Sequence, residues 1–162
     1  MLNANEIKHL IEKKYGSLQS PDFSFVKNSY KELKSSDLVW ELAKRFYIKD
    51  STDLNDHVSL QLDLHTESGN WLICFSFLGC FCVLFRLDDM GMYEKVITKN
   101  EISLLKEEKE IIALCLRYKY ELMQKELLGE PVRIQLFNTD IEETNIYHAM
   151  FSDDGIVPEI LI

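Results

Sequence analysis

Proline and glycine are scarce in this chain, with 3 Pro and 6 Gly among 162 residues. That composition excludes low-complexity, Pro/Gly-rich disorder. Long hydrophobic runs are also missing. The most apolar stretch runs for fifteen residues from Trp71 to Phe85 and is interrupted by Ser76 and Gly79, whereas a membrane-crossing helix needs about 20. The opening MLNANEIKHLIEKKYG lacks the basic-then-apolar order of a secretory signal. Catalytic signatures are absent too: there is no GxSxG, HExxH, Walker loop or GxGxxG. The four cysteines, Cys74, Cys80, Cys82 and Cys115, lie in apolar surroundings and match no CxxC or zinc spacing. They read as small buried hydrophobes. Together these absences point to a cytoplasmic protein with no disulfide, metal or cofactor.

One more absence is local. Residues 134–162 contain no Lys or Arg, while residues 138–160 alone hold Asp140, Glu142, Glu143, Asp153, Asp154 and Glu159. The net charge of −9 is unevenly placed. Residues 1–49 carry nine Lys/Arg and six Asp/Glu, a balance of +3; residues 50–162 carry nine and twenty-one, a balance of −12. An acidic surface repels nucleic-acid phosphates and steers a basic protein partner toward itself.

What is present fits one globular domain. The hydrophobic fraction is 46% and the charged fraction 28%, ordinary globular usage. A chain of this length buries roughly 70% of its unfolded surface. Helical spacing of Ile7, Leu10, Ile11 and Tyr15 predicts a first helix ending at Gly16. Further helices are expected over residues 24–34 and after Ser36 or Asp37, so that N-terminal helices fill residues 5–46. The period then changes. In HVSLQLDLHT, Val58, Leu60, Leu62 and Leu64 alternate with polar residues, the mark of a strand with one buried face. WLICFSFL, CFCVLFRL and residues 93–98 complete a predicted antiparallel four-stranded meander over residues 57–98. Its face bearing His57, Gln61, Asp63 and His65 is expected to stay wet. Apolar positions at helical spacing from Leu104 to Leu128 predict one long C-terminal helix, stopped by Gly129 and Pro131. The fold class is α+β, a sheet packed against helices, with an acidic end segment over residues 134–162.

His57, Asp63 and His65 share one strand face, but His57 and His65 are eight residues apart, roughly 26 Å along an extended strand, so a solvated face is the simpler reading. Glu107, Glu108 and Glu110 open the long helix, where acids favour the helix dipole. Asp88 and Asp89 suit a turn, and turns also carry binding residues. The end segment combines its acids with many large apolar residues, unlike a solvated tail. Ile146, Tyr147, Met150 and Phe151 have the spacing of one helical face. Two readings stand side by side: a docked element holding its acids outward for a partner, and an ordinary domain edge.

The segment ending in ELLGEPVRIQLFNT and then TNIYHAMFSDDG, preceded by the hydrophobic hairpin around GNWLICFSFLGCFCVLF, resembles the C-terminal part of small bacterial immunity proteins. These accompany polymorphic toxins, including those of contact-dependent growth inhibition. The resemblance spans residues 57–155 and is one of overall pattern, without an invariant motif. It implies a non-catalytic protein that binds a cognate basic toxin domain, often a nuclease, in the cytosol. Asp140, Glu142, Glu143, Asp153 and Asp154 would then be the partner-binding acids, with Asp88 and Asp89 next. Tyr147 and Phe151 would be the aromatic anchors, in competition with burial in the core. The other readings are an adaptor or self-associating subunit using a sheet edge or the end segment, and an enzyme or small-molecule binder with an unfamiliar pocket.

Overall fold

The computed structural model describes residues 1–155 and 157–161. Ile156 and Ile162, both within the expected end segment, lie outside the described residues. Three helices open the chain: α1 (Ala4–Tyr15), α2 (Val26–Lys34) and α3 (Asp37–Ala43). The first starts on a capping box between Asn3 and Glu6 and stops at Gly16, whose φ of 78° favours glycine. Ser36 caps the third by accepting from the Val39 N–H.

Five strands follow or separate these helices from the rest: β1 (Tyr47–Asp50), β2 (Ser59–Thr66), β3 (Gly69–Ser76), β4 (Phe81–Leu87) and β5 (Tyr93–Ile97). They lie side by side in sequence order, each antiparallel to the next. Then come α4 (Lys106–Arg117), β6 (Glu121–Leu122), α5 (Lys125–Leu128), a 3₁₀ turn at Ile141–Glu143, α6 (Ile146–Met150) and a 3₁₀ turn at Glu159–Leu161.

The fold is α+β, but the expected architecture needs correction. The sheet has six strands and is mixed, not a four-stranded antiparallel meander, because β6 pairs in parallel with β4 (Phe81 opposite Glu121, Cys82 opposite Leu122). The edge strand β1 falls between the helices expected up to residue 46 and the sheet expected from residue 57, where no element was expected. The single long helix over residues 104–128 does not form either. It stops at Arg117 because Lys119 adopts φ 63°, the Lys119 N–H donates to the Leu116 carbonyl (3.0 Å) and the Tyr120 N–H to that of Cys115 (2.8 Å). This is a Schellman ending with lysine where glycine is usual. The chain behind it continues the apolar spacing of a helix while forming a short strand.

The sheet is covered on both faces, giving three layers. On one face lie Leu62, Leu64, Trp71, Ile73 and Leu84, all buried. Here Phe46, just after α3, packs edge-on against Trp71 (centroids 6.1 Å apart), and α4 adds a buried ion pair. Glu108 is fully buried, and its carboxylate accepts from Arg86 Nε (2.6 Å) and Nη2 (2.8 Å), from Trp71 Nε1 (3.1 Å) and from the Leu105 N–H (2.9 Å). Burial alone would raise the Glu108 pKa. The hydrogen bonds from Arg86, Leu105 and Trp71, with the Arg86 charge, outweigh it and hold the carboxyl below its usual value.

The opposite face carries Ser59, Gln61, Cys74, Ser76, Val83 and Phe85, all buried. The expectation of a wet face therefore fails at Gln61, whose neighbours Ser59 and Ser76 on this face are bonded to the C-terminal segment. Ser59 Oγ donates to the Phe151 carbonyl (2.7 Å) and Ser76 Oγ to that of Met150 (2.8 Å). Behind this segment stands α1, whose buried Tyr15 hydroxyl donates to the Ala149 carbonyl (2.6 Å). Cys74, Cys82 and Cys115 are buried as expected, but Cys80 is exposed, on the turn between β3 and β4.

Candidate functional site

The C-terminal segment divides its residues between two environments. Its helix α6 begins at Asn145, whose side chain accepts from the His148 N–H (3.0 Å), and all five of its residues are buried. Tyr147 stacks on Phe151 (6.0 Å, 28°) and meets Phe85 edge-on (6.2 Å). Both are inside, at 2% and 0% exposure, so these two expected anchors belong to the core. Burial pushes the Tyr147 hydroxyl pKa well up.

Asp153 is also internal, at 3% exposure. Its Oδ2 accepts from the Phe137 N–H (2.8 Å) and the Asn138 N–H (3.1 Å), and its Oδ1 from the Thr139 hydroxyl (2.8 Å). Its own N–H donates to the Asp56 carbonyl (2.7 Å). One residue thus joins its own segment to residues 137–139 through its side chain and to Asp56 through its backbone, and its carboxylate is not displayed to a partner.

The other acids are displayed. Asp140, Glu142, Glu143 and Asp154 are exposed, as are Asp88 and Asp89 on the β4–β5 hairpin. Glu142 pairs with Arg133 at 3.0 Å, both side chains being more than two-thirds exposed. Asp88 Oδ1 accepts from the Met90 and Met92 N–H groups (2.9 Å each), an arrangement that sets the turn and holds two methionines outward, Met90 at 88% and Met92 at 63% exposure. Exposed Met, Tyr and Trp side chains, including Trp40 and Tyr47, are the surface features that sequence reasoning missed. Their spacing is no different from that of core residues.

A cleft of about 380 Å³ lies between the start of α2 and the loop before β2, lined by Phe23, Val26, Lys27, Leu54, His57 and Phe137 among others. His57 is the group in it with acid–base potential. Its Nδ1 accepts from the Asp53 N–H (2.8 Å), which requires the unprotonated nitrogen. Burial lowers its pKa, and the charges of Asp154, Asp53 and Asp56 only partly offset this. The neighbouring Asp56 carboxylate accepts from the Asn138 amide (2.7 Å). Both groups are therefore committed to holding loops together. His148 is likewise depressed by burial against the opposing fields of Asp153, Asp154 and Glu143. Among the described residues its Nε2 has no hydrogen-bond partner, no group of three or more His, Cys, Asp or Glu is placed to hold a metal, and no helix is long and apolar enough to cross a membrane.

Comparison of the chain with protein-family models, with curated proteins and with solved structures finds no match in any of the three.

Proposed function

We propose that this chain is a non-catalytic inhibitor of the immunity type, which binds a cognate basic toxin domain in the cytoplasm and neutralises it. The observation that supports this reading is the division of the C-terminal segment. Ile146, Tyr147, Met150 and Phe151 are locked into the core, while Asp140, Glu142, Glu143 and Asp154 are exposed on a docked scaffold whose residues 134–162 contain no Lys or Arg. A docked scaffold presents charge in a fixed arrangement and loses little conformational entropy on binding, which a disordered acidic tail does not achieve. The acidic surface suits a nuclease, whose substrate channel is positive to receive phosphates. Its acids would act chiefly by speeding association.

The test is co-purification of the tagged protein with the product of an adjacent toxin-like reading frame, followed by growth with and without this chain. A tight pair and restored growth are expected. No pair and no rescue would overturn the reading. One observation favours a different role, self-association: Trp40 and Tyr47 are 67% and 75% exposed, on α3 and on the edge strand β1. A concentration-independent monomer in sedimentation would remove that alternative.

A further inference from the structure

Phe137 is 77% exposed, yet its ring is not alone in solvent. It packs on Phe23 (centroids 5.2 Å apart), and both rings line the cleft of about 380 Å³ between the start of α2 and the loop before β2. Val26, Val58 and Leu54 add aliphatic surface to the same hollow. Leu54 too is left open to water, at 37% exposure. The size and the apolar lining are those of a small-molecule site. Its walls are fixed before any ligand arrives. Phe23 meets the buried Tyr15 edge-on (5.3 Å). The Phe137 N–H is held by Asp153 (2.8 Å), and the Val58 N–H donates to the Phe151 carbonyl (3.1 Å). His57 pairs with Ser152 across an isolated bridge. A preformed hollow loses little binding energy to ordering its walls.

His57 supplies the polar contact in this lining. Its Nδ1 accepts from the Asp53 N–H (2.8 Å), so the proton of the neutral ring sits on Nε2. Among the described residues nothing accepts from that Nε2–H. A ligand that offers an acceptor matches it. Charge narrows the class further. Lys27 lines the cleft, is exposed and forms no ion pair among the described residues. Against it stand Asp56 and Asp153 in the lining, with Asp53 and Asp154 close enough to act on His57. This surplus of acids disfavours an anion. A cation meets Lys27, and it finds both Asp153 oxygens taken by residues 137–139 and Asp56 Oδ1 taken by the Asn138 amide. The lining suits an uncharged occupant.

We propose that this cleft is a binding site for a small, uncharged aromatic molecule carrying a hydrogen-bond acceptor, packed on Phe23 and Phe137 with its acceptor on the His57 Nε2–H. The site involves no catalytic step and stands independently of the inhibitory function proposed above.

The experiment is an amide NMR titration of the full chain at neutral pH with flat bicyclic probes of similar shape. Quinoline carries a ring-nitrogen acceptor and naphthalene has none; 2-naphthoate is an anion and N-methylquinolinium a cation. Quinoline should bind with a Kd of about 1 mM, as so small a ligand does, and should shift the amides of residues 23–27, 54–58 and 137. Naphthalene should bind about fivefold more weakly, the effect of one hydrogen bond, and both ions more weakly than quinoline. His57→Asn keeps an acceptor for the Asp53 N–H but removes the Nε2 donor, so quinoline and naphthalene should then bind equally. Phe137→Ala and Leu54→Ala change exposed side chains and keep the test open if the His57 variant fails to fold. Phe137→Ala should weaken quinoline about fivefold, as loss of one aromatic contact would, and Leu54→Ala should weaken it less. Absence of saturable shifts, shifts centred on other residues, tighter binding of either ion, a quinoline preference that survives in His57→Asn, or undiminished binding by folded Phe137→Ala would each overturn the site.

Discussion

Two buried carboxylates hold the covers onto this sheet, and they do so differently. Glu108 projects from the first turn of α4 and meets a guanidinium, an indole N–H and a backbone N–H. Asp153 sits beyond α6 and meets two backbone N–H groups and a hydroxyl, with no Lys or Arg paired to it among the described residues. The first is a charge neutralised by a charge. The second is a negative charge spread over neutral donors of an otherwise irregular loop. A helix can be held by its apolar stripe, so Glu108 chiefly satisfies Arg86 and Trp71. A segment with little regular structure has few backbone bonds of its own, so its position depends on side chains such as Asp153, Ser59, Ser76 and Tyr15.

The contrast can be broken at either end. Glu108→Ala strands the Arg86 charge and should cost about 3–5 kcal/mol, read as a lower urea midpoint. Glu108→Gln should be nearly as harmful, because it too leaves Arg86 without a counter-charge. Asp153→Ala should cost less, about 2–3 kcal/mol, and should speed amide exchange at Phe137 and Asn138 in particular. Asp153→Asn keeps an acceptor and should recover part of that loss. An asparagine as costly as alanine would mean that charge, not acceptor geometry, holds the loop. Ser76→Ala removes the bond to the Met150 carbonyl and the one accepted from the Leu78 N–H, for about 1 kcal/mol.

A pH series separates the two sides further. The folded-state pKa values of His57 and His148 lie below the usual 6.5. Below that value the unfolded chain binds more protons than the folded one, so stability is full above it and is lost as pH falls through the folded values. Glu108 has a depressed carboxyl and loses its contribution only at lower pH, below the usual 4.5. Denaturation at pH 7.5 and 5.5 should therefore show a loss from the histidine side alone, and His148→Gln should flatten it. At the small end, Glu142→Ala breaks only the exposed pair with Arg133 and should stay within about 0.5 kcal/mol of the parent.

The parts legible in the sequence were those that obey a period. Ile7, Ile11 and Tyr15 mark α1, and the alternation from Val58 to Leu64 marks β2. The continuous apolar runs of β3 and β4 fit strands buried on both faces. What was not legible lacks a period or imitates one. The Lys119 ending is invisible because lysine is not the residue expected at φ 63°. Leu122, Met123 and Leu127 keep helical spacing on a chain that has left the helix. Of the residues first expected at the interface, Asp153, Tyr147 and Phe151 were indistinguishable from Asp154 and Glu143 by composition. Only their long-range partners, from Thr139 to Phe85, distinguish them. The cross-strand row of Tyr47, His65, Asn70, Leu87 and Tyr93 depends on strand register and on one bulge, which no local pattern encodes.

The lid over the second face of the sheet is made late. Cys74, Val83, Phe85 and Val96 have been synthesised some fifty or more residues before the α6 segment that shields Phe85 through Tyr147. Synthesis runs from the N-terminus, and earlier parts collapse first. A ribosome-bound chain ending near Gly129 would hold most of its strands with one oily side open. For that interval the nascent chain exposes apolar surface of the kind that promotes aggregation. A premature stop in the last tenth of the message would yield a sticky polypeptide, not a slightly shortened binder.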